Sequence, residues 1–172
     1  MTRPFVFVFS GALALSCSRG AEPAPGPDPV TRDSASAASS PTGVSGPTVD
    51  LAKLGLKAAA PADTVVEDAI VGDGVMLRGP GVEVSIEEAS ASRPGSLEEA
   101  RKDVELYAPR NVQVETLADG FVLTFEAEGG MGLNYWLAGR RTLGDKTFWC
   151  ETNSARAEAR AGGLAACKGL TR

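Results

Sequence analysis

From about residue 62 onward the apolar positions fall into short runs that alternate with polar ones, and twice the period lengthens to that of a helix. Thr64-Val65-Val66 and Val75-Met76-Leu77 are brief β-rich runs separated by Gly72-Asp73-Gly74. Val82, Val84 and Ile86 alternate with Glu83, Ser85 and Glu87, which predicts a strand buried on one face. At Ser96-Leu97-Glu98-Glu99 the pattern takes the form of a capping box. Leu97, Ala100, Val104 and Tyr107 follow at helical spacing, and Pro109 makes Ala108 the predicted helix end.

A meander comes next. Val112, Val114 and Thr116 open a strand, Ala118-Asp119-Gly120 turns it, and Phe121, Leu123 and Phe125 alternate on the way back. Gly129 to Gly132 turns the chain again. Leu133 to Arg141 and Lys146 to Thr152 then form a pair joined at Gly144-Asp145. An Ala-rich helix from about Ala155 to Leu170 closes the series, weakened in its middle by Gly162-Gly163. The order β-β-β-α-β-β-β-β-α predicts an α+β fold: an antiparallel sheet of about six to seven short strands, a central helix and a C-terminal helix. This succession resembles the PsbP/DcrB-like family of small exported domains across most of residues 62–170. The resemblance lies in element order, and it implies a binding or assembly module with no catalytic residues to carry over.

The first 49 residues follow neither period. Met1 to Pro4 holds one positive charge, and Phe5 to Leu15 is apolar. That run is too short to span a bilayer, which takes about 20 residues, and has the proportions of a signal peptide. Ala14-Leu15-Ser16-Cys17 resembles the lipobox of bacterial lipoproteins, with Ala14 where those proteins usually carry Leu. The resemblance implies cleavage after residue 16, lipid on Cys17 and anchoring in the cell envelope, and Ser18 in place of Asp points to the outer membrane. The alternative is an ordinary secretory cut after Ala14 or Ser16, which leaves Cys17 as a loose thiol.

Residues 18–49 contain six Pro, four Gly, six Ser and no aromatic residue, so they bury too little to offset the entropy of ordering. A flexible chain of that length spans roughly 30 Å. The expected organisation is a signal peptide over 1–16, a lipidated Cys17 and disordered tether over 17–49, and one globular domain over 50–172.

Charge narrows the partners. Three Arg balance three acids in residues 1–49, so the net charge of −5 belongs to the domain. An acidic domain without a basic run argues against nucleic acid and against direct docking on anionic lipid. Membrane contact is therefore expected only through Cys17, with an envelope protein as partner.

With Cys17 set aside, Cys150 and Cys167 remain as an even pair in an oxidising compartment. If the last helix folds back on its own strand, the two come level. A disulfide needs Cα atoms within about 7 Å, and Gly162, Gly163, Ala165 and Ala166 are small enough to permit that approach. The alternative is two buried free thiols.

The chain has no His, which removes the usual general base and most zinc sites. No phosphate-binding, dinucleotide or EF-hand pattern occurs, so no cofactor, metal or catalytic residue is assigned. Glu126 and Glu128 are the one sequence-local carboxylate pair on a common strand face, near the spacing that glycosidases or a hard cation use. The densest feature is Gly129 to Arg141 with Phe148-Trp149. Tyr135, Trp136, Arg140, Arg141 and Trp149 are its candidate partner contacts, since aromatic residues beside Arg anchor interfaces. The competing reading is that both tryptophans fill gaps between sheet and helix. A lipid-anchored, non-enzymatic binding or assembly module is the leading expectation. A small-ligand carrier and a carboxylate-dependent enzyme acting on glycans are the alternatives. The carrier needs an apolar pocket, and the Ala/Gly-rich last helix argues for close packing at that helix.

Overall fold

The computed structural model describes residues 47–172. Cys17, the signal segment and nearly all of the tether lie outside the described residues. The domain is built on a seven-stranded antiparallel sheet flanked by a helix on each face, as the alternation predicts. A separate hairpin precedes it. This hairpin consists of β1 (Thr48–Leu51) and β2 (Leu56–Ala59), joined through a 3-10 turn at Ala52–Leu54. Among the described residues the first strand begins at Thr48, two positions before the expected domain start.

The sheet strands are β3 (Val65–Asp68), β4 (Val75–Gly79), β5 (Val82–Glu88), β6 (Arg110–Leu117), β7 (Gly120–Gly129), β8 (Gly132–Leu143) and β9 (Lys146–Ser154). Helix α1 (Leu97–Glu105) lies between β5 and β6, and α2 (Ala157–Lys168) ends the domain. The spatial order is β3-β4-β5-β9-β8-β7-β6, so β9 returns to the centre and pairs β5 with β8. Among the described residues, no helix is long and apolar enough to cross a membrane.

Register assigns the two faces. Ile86 pairs with Cys150, and Cys150 with Gly139, so these positions share a face with Val84, Phe148, Leu137 and Val122. That face packs on α2 and the β1–β2 hairpin through Ala166, Cys167, Leu170, Leu51, Leu56 and Ala58. The opposite face carries Phe121, Leu123, Phe125, Ala138 and Trp149 beneath α1.

Helix α2 sits very close to β5. An added Cβ at Gly162 would fall inside the van der Waals shell of the Gly81 carbonyl, and one at Gly163 would lie 3.0 Å from Glu83 O. The glycines that weaken the helix in isolation are therefore its contact surface. This approach brings Cys150 and Cys167 to a Cα–Cα distance of 6.0 Å, and they form a disulfide. On β8 beside it, a Cβ at Gly139 would lie 2.8 Å from Cys167 Sγ. The β1–β2 hairpin is tied to the chain end by two backbone bonds, from Lys57 N–H to Thr171 O at 2.8 Å and from Thr171 N–H to Lys57 O at 2.9 Å.

Arg141 closes the end of α2. It is 7% exposed, and its guanidinium donates to both carboxylate oxygens of Asp119 at 2.8 and 2.7 Å. It also donates to the Cys167 and Lys168 carbonyls, both at 2.6 Å. Those carbonyls belong to the last helical turn, where partners within the helix run out and a cation is favoured. Arg141→Met is expected to cost about 3 kcal/mol, because it strands a carboxylate and two carbonyls that are now paired. Urea denaturation of the protein measures this, and an unchanged midpoint would show the cluster to be energetically idle.

Candidate functional site

Helix α1 begins where the capping box places it. Ser96 Oγ accepts from Glu99 N–H at 3.2 Å, while the Glu99 carboxylate reaches past the cap to accept from Gly95 N–H at 2.6 Å. The helix has little to bury. Ala100 packs on Phe121, Ala138 and Trp149, and Val104 packs on Leu123, Phe125 and Ala127. The chain leaves the helix through Tyr107 and Ala108, and Ala108 takes a left-handed φ of 47° before Pro109. A helix this short covers only part of its sheet face.

At its border the aromatic residues gather. Trp136 stacks on Phe125 with ring centroids 5.5 Å apart, and Tyr107 lies over Trp136 at 4.8 Å. Phe121 meets Trp149 edge-on at 6.4 Å. Over Trp149 lies Arg93, its guanidinium carbon 5.6 Å from the ring centroid. Arg93 also bridges two strands, donating to Glu87 at 2.7 Å on β5 and to Glu151 at 2.5 Å on β9. Burial draws the Arg93 guanidinium down, but its bonds and attraction to Glu87 and Glu151 outweigh this and raise it above its ordinary value. It therefore stays charged at any physiological pH.

Between these groups lies a cavity of about 100 Å³. Tyr107, Phe125, Trp136 and Trp149 supply its aromatic lining, and Arg93, Asp103 and Glu151 its charges. Two of its polar groups differ sharply. Trp149 Nε1–H donates to Glu151 at 3.1 Å, whereas Trp136 Nε1 is buried without a hydrogen-bond partner.

The five candidate contact residues divide between the two faces. Arg140 pairs with Trp149 across β8 and β9, and Trp136 shares their side, facing α1. Tyr135 and Arg141 face the α2 side. Trp149 is 4% exposed, so it serves as core between Phe121 and Arg93 rather than as an exposed anchor. Arg141 is likewise withdrawn into the Asp119 cluster. Arg140 Nη1 donates to Pro94 O at 3.0 Å and holds down the loop that carries Arg93. Tyr135 is half-buried under Arg160, whose guanidinium carbon lies 5.2 Å from its ring. Of the five, Trp136 and Trp149 line the cavity, and the Trp136 indole N–H is buried without a partner.

Glu126 and Glu128 do share a face, but each is taken up by its neighbours. Glu126 accepts from Asn111 at 2.8 Å and lies 4.0 Å from Arg160, and Glu128 lies 3.3 Å from Arg110. Among the described residues, no group of three His, Cys, Asp or Glu side chains is arranged to hold a metal ion.

Sequence reasoning passes over Arg93, and it reads Asp103, with Glu98 and Glu99, as an acid that stabilises the helix dipole in preference to a metal site. Arg93 did carry a signal: it is the lone charged residue in Ala-Ser-Ala-Ser-Arg-Pro-Gly, a loop with no other side chain able to fasten it.

No family model matches this chain, and no curated protein does. Among solved structures, the solution structure of cyanobacterial PsbP (CyanoP) from Synechocystis sp. PCC 6803 aligns with a TM-score of 0.46 at 13% identity. The alignment covers 76% of this chain and 95% of that one. A likeness at this level assigns neither residues nor activity.

Proposed function

We propose that this protein is a lipid-anchored, non-enzymatic binding or assembly module of the bacterial cell envelope. Lipid on Cys17 holds it to the membrane, with the outer membrane favoured by Ser18, and residues 18–47 carry the domain away from the surface. The contact surface is the α1 side of the sheet. The observation that carries this reading is the partly covered aromatic corner of Tyr107 and Trp136, where a buried indole donor stands beside a cavity with no internal partner. The Cys150–Cys167 disulfide supports the export half, since such bonds persist in oxidising compartments. The carboxylate enzyme considered for Glu126 and Glu128 draws no support from side chains that lie against Arg160 and Arg110.

Mass spectrometry of the protein extracted in mild detergent from its own envelope tests this reading. A diacylglycerol-sized mass on Cys17, together with a co-released envelope protein, is the expected result. An unlipidated chain released by simple osmotic shock would remove the anchor and the reading with it.

A further inference from the structure

We propose that two copies of this chain pair through the free edge of β6, antiparallel about a two-fold axis at Val114, so that their sheets become continuous. β6 ends the seven-stranded sheet and has β7 as its one neighbour there. The two-residue turn Ala118-Asp119 makes Leu117–Gly120 a hydrogen-bonded pair, and by alternation Glu115–Val122 and Gln113–Thr124 also bond across to β7. Val112, Val114 and Thr116 therefore aim their backbone N–H and C=O groups away from the sheet. Such a row is a template for another strand.

The sequence of β6 leaves this template open and limits it at one end. No Pro or Lys interrupts Val112 to Leu117. The bulge between Arg110 and Gln113, where Asn111 takes a left-handed φ of 52°, confines pairing to the residues from Val112 onward. The opposite edge, β3, is shorter, and two of its four residues are the acids Glu67 and Asp68.

The occupant is a second copy because the edge complements itself. An axis at Val114 sets Val114 against its own counterpart, Val112 against the second copy's Thr116, and Gln113 against its Glu115. The α1 side of the new pair is then a row of β-branched residues, and on the other side an amide meets a carboxylate. Moving the axis to Glu115 would oppose two carboxylates, and moving it to Gln113 would draw the bulge into the ladder.

Helix α1 adds charge complementarity. It runs along β7, with Ala100 on Phe121 and Val104 on Phe125 and Ala127, and so opposite in direction to β6. Arg101 and Glu105 border the groove between α1 and β6, Arg101 towards the Thr116 end and Glu105 towards the Val112 end. Both are exposed. Among the described residues neither makes an ion pair, whereas Glu98 and Lys102, at the same spacing, are bridged at 3.2 Å. The two-fold axis lays the Thr116 end of one copy beside the Val112 end of the other, so each Arg101 faces the other copy's Glu105. The two reciprocal pairs fix register more than they add affinity.

One short strand pair falls below the roughly 1,200 Å² at which stable complexes begin, so the association is weak. Sedimentation equilibrium of the full chain is expected to show monomer and dimer with a Kd of roughly 10–100 μM. Arg101→Glu and Glu105→Arg each turn both attractions into repulsions, and each is expected to weaken the dimer about tenfold. The two together restore it. Thr116→Pro removes an N–H that bonds nothing within its own copy, and is expected to abolish the dimer. In a mixed sample of labelled and unlabelled chain, isotope-filtered NOEs are expected between the Val112 and Thr116 methyls of different copies. A chain that stays monomeric at millimolar concentration overturns the inference. So does a dimer that the single reversals leave unchanged, or one that the double reversal fails to restore. The pairing needs no lipid on Cys17, so its failure and that of the envelope reading are distinguishable.

Discussion

Gly162→Ala is expected to destabilise the domain by about 3 kcal/mol, although alanine normally improves a helix by roughly 1 kcal/mol. The sign turns on one contact. The new methyl would collide with the Gly81 carbonyl, which is backbone at the β4–β5 turn and cannot rotate aside. Relief requires α2 to lift from β5. That movement opens the contact of Gly163 with Val84 and Glu83, and it pulls on Ala166, Cys167 and Leu170 in the main core. Urea denaturation of the wild type and variant, both oxidised, gives the difference directly. An increase in stability would mean that the helix stands further from the sheet than described.

Removing the crosslink is the second large effect. Cys150→Ala with Cys167→Ala is expected to cost about 3 kcal/mol, since the bond closes a loop of 17 residues in the unfolded chain. Both cysteines are fully buried, so the lost sulfur packing adds to this. Alanine is the informative substitute, because serine would bury two hydroxyls in an apolar cluster. Burial also predicts that a mild reductant leaves the native bond intact while the same reductant in urea opens it. Thiol alkylation followed by intact mass distinguishes the two states, and rapid labelling of the native protein would contradict the packing. The glycine and cysteine changes loosen the same helix. Combined, they should therefore cost less than their separate effects added together.

The elements that sequence revealed are those whose burial is one-sided and locally patterned. Val82 to Glu87 alternates because one face meets α2 and the other does not. Ser96 and Glu99 reveal the start of α1 because capping is a four-residue affair. Gly162 and Gly163 were legible together with the cysteines, since a disulfide from strand to helix demands a thin helix. The β1–β2 hairpin was not legible. Leu51, Leu56 and Ala58 are buried by Leu170 and its neighbours, more than a hundred residues away, and four-residue strands carry too little pattern of their own. The candidate site hid for the same reason. Glu87 and Glu151 meet Arg93 only because β5 pairs with β9, and Arg93 lies over Trp149 from a loop far away in sequence. The tight helix did argue against a cavity where α2 lies. The cavity stands under the other helix, which is too short to fill its face.

The register of the first hairpin decides how the domain answers a mechanical load. Thr48, where the preceding chain enters, is paired with Ala59, where the hairpin leaves for the main sheet. A pull on residue 47 therefore acts at the open end of the hairpin and opens its pairs one after another, from Thr48–Ala59 towards Leu51–Leu56. Such peeling takes far less force than shearing all the pairs at once. Tension from an anchored tether would be spent on β1, lengthening the leash by a few residues, while the seven-stranded sheet and its crosslinked helix remained intact. Under the proposed anchoring, the hairpin would in this sense be a shock absorber between the tether and the seven-stranded sheet.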